Sequence, residues 1–185
     1  LQLNDWPNDQ SKTSAHYGAS FLFMAYFLDR FGDSVTQALV GHSANGMSSI
    51  DMVLDEIGMV DSVSNQPVDA DDVFLDWVLA LYLKDNDVGD GRFTYNNYSN
   101  APKTDDTEVI RTCPSESETR DVNQYCVDYI RIDCKGDFSL KFEGSVQVGV
   151  LPANPYSGNY AFWSNKGDES NMMLTKTFDF SQVDG

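Results

Sequence analysis

The spacing of apolar residues changes along this chain, and that change most limits the folds it can adopt. Up to Lys84 the apolar residues recur every three or four positions, and from Tyr125 onward they alternate with polar residues. The first spacing predicts helices and the second predicts strands. A run of helices followed by a run of strands predicts an α+β fold, with an N-terminal helical bundle and an antiparallel, jelly-roll-like β unit.

The predicted boundary between the two parts lies near residue 95, giving a helical subdomain over 1–95 and a β unit over 96–185. The predicted helices and strands follow from the local patterns. The helices are predicted at about 14–31, 34–42, 48–58 and 69–85, and the strands at 125–134, 137–152, 159–165 and 171–181. Gly32 is the predicted end of the first helix, and Ser48 and Asp51 have the spacing of a capping box.

The chain is strongly acidic, with 29 acidic and 12 basic residues and a formal charge of -17. Such a surface repels phosphate backbones and anionic lipid headgroups, so we expect no nucleic acid partner. Charged residues interrupt every apolar run, so no membrane insertion is expected. The composition is typical of a secreted or cell-surface protein.

Because the chain ends inside an alternating segment, we expect it to be part of a longer polypeptide whose β unit is truncated here.

Two groups of residues suggest local chemistry. Cys113 and Cys126 bracket a polar loop that a disulfide would close, contributing about 3 kcal/mol, with Cys134 left as a small buried strand residue. The alternative is three reduced thiols in a cytoplasmic protein. No Cys-x-x-Cys pair is present, which argues against a structural zinc site.

The segment "DNDVGDG" places Asp85, Asp87 and Asp90 on a glycine-rich turn, where clustered carboxylates suit a calcium ion. The alternative is an acidic turn without a metal, because aspartate and glycine are frequent turn formers.

A histidine and a tyrosine, His16 and Tyr17, stand at the head of the first predicted helix in "AHYG". The stretch "HYGASFLFMAYFLDRFGDSVTQALVGHSANGMSSIDMVL" resembles the helical C-terminal subdomain of gluzincin-type zinc metallopeptidases. The stretch "SGNYAFWSNKGDESNMMLTKTFDFS" resembles the segment that follows the peptidase domain in secreted proteins of the immune inhibitor A type. The two resemblances occur in the order expected for such proteins.

The resemblance implies peptide hydrolysis by a longer parent protein that holds zinc. It also implies that His16 or Tyr17 donates a hydrogen bond to the tetrahedral oxyanion. The zinc motif His-Glu-x-x-His is absent from this chain, so we expect the chain alone to be inactive and its partners to be an upstream catalytic part and a peptide or protein substrate. The structural alternative is that His16 caps the helix and Tyr17 packs in the core. The functional alternative is a calcium-dependent carbohydrate- or protein-binding β module that the helices support.

Overall fold

A computed structural model describes residue 3 and residues 6–113 and 119–144 of the chain. The chain divides into two compact units, Leu1–Gly144 and Ser145–Gly185. All described residues lie in the first unit, so residues 96–144 share a unit with the helices. Within the described residues this unit is α+β, with three α-helices and a two-stranded sheet. The strands predicted at 159–165 and 171–181 lie outside the described residues.

The first helix, α1, spans Ser14–Gly41 and follows a short 3-10 turn at Gln10–Lys12. Gly32 interrupts it with a φ of 78° and a ψ of 179°, a conformation that residues with a Cβ rarely adopt. The hydroxyl of Thr36 donates to the carbonyl oxygen of Gly32 (2.8 Å), which restarts the helix after the break. The predicted stop at Gly32 is confirmed, and the two predicted helices 14–31 and 34–42 form one bent element.

The next helices, α2 at Met47–Glu56 and α3 at Ala70–Leu83, also follow the predicted pattern. A capping box starts α3. The carboxylate of Asp69 accepts from the backbone N–H of Asp72 (2.9 Å), and the carboxylate of Asp72 accepts from the backbone N–H of Asp69 (3.3 Å). This reciprocal pair satisfies two donors that have no partner inside the helix.

The start of α2 differs from the prediction. Gly46 stands at its N-cap with a φ of 69°, and Ser48 donates its hydroxyl to the carbonyl oxygen of Asn45 (3.0 Å). The predicted capping box of Ser48 and Asp51 is therefore wrong. Asp51 instead accepts a hydrogen bond from the backbone N–H of Ala70, the first residue of α3 (2.8 Å). A carboxylate is favourable at a helix N-terminus, so Asp51 joins α2 to α3.

The three helices enclose one apolar core. Tyr26, Phe27 and Leu54 are almost completely removed from solvent, and Trp77 packs edge-on against Phe23 with ring centroids 5.3 Å apart. The other buried apolar side chains come from all three helices and from the segment after α3: Ala19, Leu39, Ile50, Val53, Ala70, Val73, Phe74, Val78, Ala80, Tyr95 and Ala101. Burial of this apolar surface is what holds the helices together.

The sheet consists of β1 at Glu108–Ile110 and β2 at Ile130–Ile132, which pair in parallel. The predicted antiparallel, jelly-roll-like arrangement is wrong for the described residues, in which 137–144 form no regular strand. The residue before β2 packs on α3. Tyr129 stacks on Tyr82 (5.1 Å between ring centroids) and donates its hydroxyl to the carbonyl oxygen of Val78 (2.7 Å). The segment between β1 and β2 is too long for a hairpin and returns the chain to the start of the sheet.

The parallel sheet also explains the disulfide. The structure joins Cys113 to Cys134, with their Cα atoms 5.9 Å apart, in place of the predicted Cys113–Cys126 pair. Residues that follow two parallel strands meet at the same edge of the sheet, where Arg111 also lies 4.0 Å from Asp133. Cys126 is a free thiol whose pKa is raised by burial.

Among the described residues, we find no helix whose length and apolar character would let it cross a membrane.

Candidate functional site

A groove of about 430 Å³ lies between α2 and α3 and is called here the α2–α3 groove. Its lining combines acidic and apolar side chains: Asp51, Leu54, Asp55, Gly58, Met59, Val60, Pro67, Val68, Asp69, Asp71 and Tyr125. The groove is concave and open to solvent, as ligand sites usually are.

The helical period places one face of α2 along the groove. Asp51, Leu54, Asp55 and Gly58 follow the i, i+3, i+4, i+7 spacing that puts side chains on a single stripe. Beyond α2 the chain turns back, and the backbone N–H of Val68 donates to the carbonyl oxygen of Met59 (3.1 Å). Val60 and Pro67 form a bridge in the same turn. The groove therefore has an apolar floor of Leu54, Met59 and Val68 and an acidic rim.

Three rim carboxylates are held in fixed positions, each by one oxygen. Oδ1 of Asp51 accepts from the backbone N–H of Ala70 (2.8 Å), and Oδ1 of Asp69 accepts from that of Asp72 (2.9 Å). Oδ1 of Asp71 accepts from the hydroxyl of Tyr125 (2.7 Å).

The carboxylate of the fourth rim residue, Asp55, has no hydrogen bond or ion pair within the described part of the chain, whereas its backbone carbonyl oxygen accepts from the N–H of Gly58 (2.9 Å). It lies one helical turn after Asp51 on α2. Carboxylates held in place by the fold reduce the entropy that a ligand loses on binding, and Asp55 adds a side chain that is available to the ligand.

Tyr125 closes one side of the groove. Its ring packs edge-on against Phe74 (5.2 Å between centroids), its carbonyl oxygen accepts from the backbone N–H of Leu3 (3.1 Å), and its backbone has a φ of 53°. Burial raises the pKa of the Tyr125 hydroxyl, and the hydrogen bond to Asp71 and the charges of Asp51 and Asp69 raise it further. Tyr125 therefore stays a neutral donor that fixes the carboxylate of Asp71.

A second charged cluster lies away from the groove, around Arg92. Its guanidinium contacts Asp61 in the α2–α3 connection (2.5 Å), Asp76 on α3 (3.1 Å) and Asp90 two residues earlier (2.7 Å). Arg30 on α1 reaches Asp61 at 3.5 Å. The Arg92 side chain is only 11% exposed, so this cluster ties the segment after α3 to the helices.

The pKa values in the Arg92 cluster follow from these contacts. The hydrogen bond from Arg92 lowers the pKa of Asp90, and hydrogen bonds from the backbone of Ser64 and from Arg92 lower the pKa of Asp61. Burial raises the pKa of Asp76. Each Arg92-facing carboxylate therefore already contacts a guanidinium, which makes this cluster a structural cross-link.

A smaller cavity of about 130 Å³ adjoins this cluster and is lined in part by Tyr26, Asp29 and Asp90. Asp29 accepts hydrogen bonds from the backbone N–H groups of Asn96 (2.8 Å) and Asn97 (3.2 Å). The carboxylates of this cavity are thus bonded within the chain, whereas the α2–α3 groove keeps carboxylate oxygens that have no partner among the described residues.

The predicted calcium residues do not come together. Asp85 accepts from the backbone N–H of Asp87 (2.9 Å), which is a local turn contact, and Asp90 is bonded by Arg92 (2.7 Å) and by the hydroxyl of Ser62 (2.9 Å). In the part of the chain that the structure describes, no group of three or more His, Cys, Asp or Glu side chains is placed to hold a metal ion. The geometry favours the turn alternative, and calcium binding stays a prediction.

His16 and Tyr17 lie in the first turn of α1, next to Trp6. The ring of Trp6 lies 5.6 Å from that of His16 and 4.6 Å from that of Tyr17. Tyr17 is 65% exposed and therefore lies outside the core. Nδ1 of His16 is buried and has no hydrogen-bond partner among the described residues. Their role in catalysis stays a prediction.

Sequence reasoning missed the α2–α3 groove. The sequence signal for it is a set of four acidic residues on either side of the apolar residues of the floor: Asp51, Asp55, Asp69 and Asp71. The spacing predicts that Asp51 caps its own helix, although it caps the next one.

Comparison of the chain with protein-family models, curated proteins and solved structures found no match. Function is therefore inferred from the geometry of the described residues.

Proposed function

We propose that the Leu1–Gly144 unit is a protein-interaction module that binds a cationic segment of a partner protein in the α2–α3 groove. One observation supports this function above all: a groove of about 430 Å³ has an apolar floor and four carboxylates along its rim. A concave apolar surface with a few placed polar groups is the usual form of a binding site. Its acidic rim is complementary to lysine and arginine side chains.

The floor and the rim contribute differently to such binding. Apolar side chains of the partner segment pack on Met59 and Val68, which cover the buried Leu54, and their burial supplies most of the affinity. The rim carboxylates are exposed, so they mainly speed association and select a cationic segment. The rest of the acidic surface, with a formal charge of -17, adds to this long-range attraction.

Charge reversal at Asp55 tests this function, because its side chain has no hydrogen bond or ion pair in the described chain that the change would break. The probe is a fluorescein-labelled peptide that alternates leucine with lysine and arginine, and fluorescence anisotropy gives its Kd. Asp55→Lys is expected to weaken binding about tenfold, since two unit charges change beside the bound cation.

Asp33→Lys is the matched control, because Asp33 is an exposed carboxylate on α1 that does not line the groove. It changes the net charge by the same amount and is expected to weaken binding less than about twofold at physiological salt, where the Debye length is about 8 Å. Equal weakening by Asp55→Lys and Asp33→Lys would show a general attraction to the acidic surface and would overturn the proposed function.

A second candidate is the C-terminal part of a secreted zinc metallopeptidase. The observation that favours it is the exposed Tyr17 hydroxyl beside His16 in the first turn of α1. In this candidate the parent hydrolyses peptides at a zinc site upstream of residue 1, and Tyr17 or His16 stabilises the oxyanion. Extracellular location suits both candidates, because a disulfide such as Cys113–Cys134 persists in oxidising compartments.

The peptidase candidate is tested with the longest natural polypeptide that contains this chain and a fluorogenic protein substrate. Tyr17→Phe is expected to lower kcat by about 10²–10³-fold, because a lost oxyanion donor has that effect. Tyr98→Phe is the control, since its ring contacts α1 at Phe21 without adjoining Tyr17. A polypeptide without zinc-dependent hydrolysis, or an unchanged kcat for Tyr17→Phe with His16→Ala, would exclude this role.

A further inference from the structure

Building on the proposed function, we infer that the cation held by the α2–α3 groove is an arginine side chain of the partner. The rim of the groove presents carboxylate oxygens that can accept hydrogen bonds and that have no donor among the described residues. Oδ1 of Asp51, Asp69 and Asp71 is bonded within the chain, and the second oxygen of each has no partner among the described residues. Asp55 adds two more oxygens in the same state.

The geometry of these acceptors matches a planar group with several donors. A guanidinium carries five N–H donors in one fixed plane, whereas an ammonium carries three around a single point. Because one oxygen of Asp51, Asp69 and Asp71 is anchored, the direction of the other is set before the ligand arrives. The carboxylate of Asp55, with both oxygens unbonded in the described chain, can bond arginine at two points, and each anchored carboxylate offers one further acceptor oxygen.

The same carboxylates are poorly placed for a metal ion. Metal ligands must converge on one point, and no group of three or more such side chains does so among the described residues. Acceptors spread along the rim of a groove of about 430 Å³ instead suit a donor that is itself extended.

The groove floor suits the apolar part of an arginine side chain. Met59 and Val68 are partly exposed and form the accessible apolar surface, with Leu54 fully buried beneath them. The three methylene groups of an arginine can lie on this surface while its charged end reaches the rim. The thioether of Met59 is flexible and adapts to the shape of the stem.

Three peptides that differ at one central position test this inference: arginine, lysine and citrulline. Citrulline keeps nearly the shape of arginine and removes its charge. Kd is measured by fluorescence anisotropy with the whole chain. The arginine peptide is expected to bind about fivefold tighter than the lysine peptide and about tenfold tighter than the citrulline peptide. Asp55→Lys is expected to reduce the preference for arginine over lysine to less than about twofold, and Asp33→Lys to leave it unchanged.

The outcomes separate the inference from the function on which it rests. Equal Kd values for the arginine and lysine peptides, both weakened by Asp55→Lys and not by Asp33→Lys, would overturn the choice of arginine and leave the binding function standing. A preference for arginine that survives Asp55→Lys would also overturn the inference, because it would place the recognition elsewhere. Failure of all three peptides to bind would overturn the proposed function itself.

Discussion

Replacement of Phe27 by alanine is expected to lower the free energy of unfolding of the chain by about 3–5 kcal/mol. Phe27 lies on α1 with 0% of its surface exposed, and its ring packs 4.8 Å from that of Phe31. Truncation removes apolar contacts and leaves a cavity where α1 meets the other helices. The free energy is measured by urea denaturation under oxidising conditions, with far-ultraviolet circular dichroism as the signal.

Phe21→Ala is the matched control, because Phe21 lies on the same helix with 58% of its surface exposed. It is expected to cost less than about 1 kcal/mol. Similar losses for Phe27→Ala and Phe21→Ala would contradict a core in which α1 presents Phe27 to α2 and α3.

Arg92→Met is expected to lower the free energy of unfolding by about 2–3 kcal/mol. The change keeps an apolar stem and removes the guanidinium that Asp61, Asp76 and Asp90 share. Loss of one partner from a buried ion pair costs about 3–5 kcal/mol, and exposed pairs cost about 0–1 kcal/mol. The expected loss lies between these two ranges because the carboxylates of Asp61, Asp76 and Asp90 are mostly but not fully buried.

The Arg92 effect is also expected to depend on pH. The pKa values of Asp61 and Asp90 are lowered in the folded state, so their contribution to stability is present above an unfolded pKa of about 3.9 and is lost as the pH falls further. The pKa of Asp76 is raised by burial, and its contribution has the opposite sign. The contributions of Asp61 and Asp90 are therefore expected to be lost as the pH falls below about 4.

Without Arg92 the largest cause of the lowered pKa of Asp90 is gone, and one of the causes of the lowered pKa of Asp61 is gone. The difference between wild type and Arg92→Met is therefore expected to be largest near neutral pH and to shrink below about pH 4. Urea denaturation at several pH values measures it. Arg111→Met is the control, because Arg111 is an exposed residue 4.0 Å from Asp133. A difference that stays constant with pH, or an equal effect of Arg111→Met, would contradict the cross-link.

The helices could be predicted from the sequence because helical period and glycine are local signals. The apolar stripe of α1 and the break at Gly32 depend on neighbouring residues only, and both appear as predicted. The capping box at α3 has the same local character. Helical structure of this kind needs no knowledge of distant contacts.

The sheet direction and the disulfide could not be predicted in the same way. Both depend on pairings between residues far apart in the chain, such as Val109 with Arg131 and Cys113 with Cys134. The alternating pattern at 125–134 shows that a strand forms and does not show which strand it pairs with. The alternating pattern predicts that Cys134 is a small buried strand residue. The parallel pairing instead brings Cys134 next to Cys113, with which it forms a disulfide.

The candidate site escaped prediction for a similar reason. Its rim combines Asp51 and Asp55 of α2 with Asp69 and Asp71 at the start of α3, and Tyr125 closes it from a distant segment. Asp90, one of the predicted calcium residues, has a charge partner close in sequence, and calcium binding stays a prediction. Arg92 lies two residues later and takes both oxygens of the Asp90 carboxylate.

The central claim, that the α2–α3 groove holds a cationic segment, is tested most directly by nuclear magnetic resonance. A ¹⁵N-labelled chain is titrated with the leucine, lysine and arginine peptide at physiological salt, and amide shifts are followed. The largest shifts are expected at Asp55, Met59, Val68 and Ala70, with smaller shifts around Asp33 and the Arg92 cluster. Shifts spread evenly over the acidic surface, or concentrated away from α2 and α3, would contradict the claim.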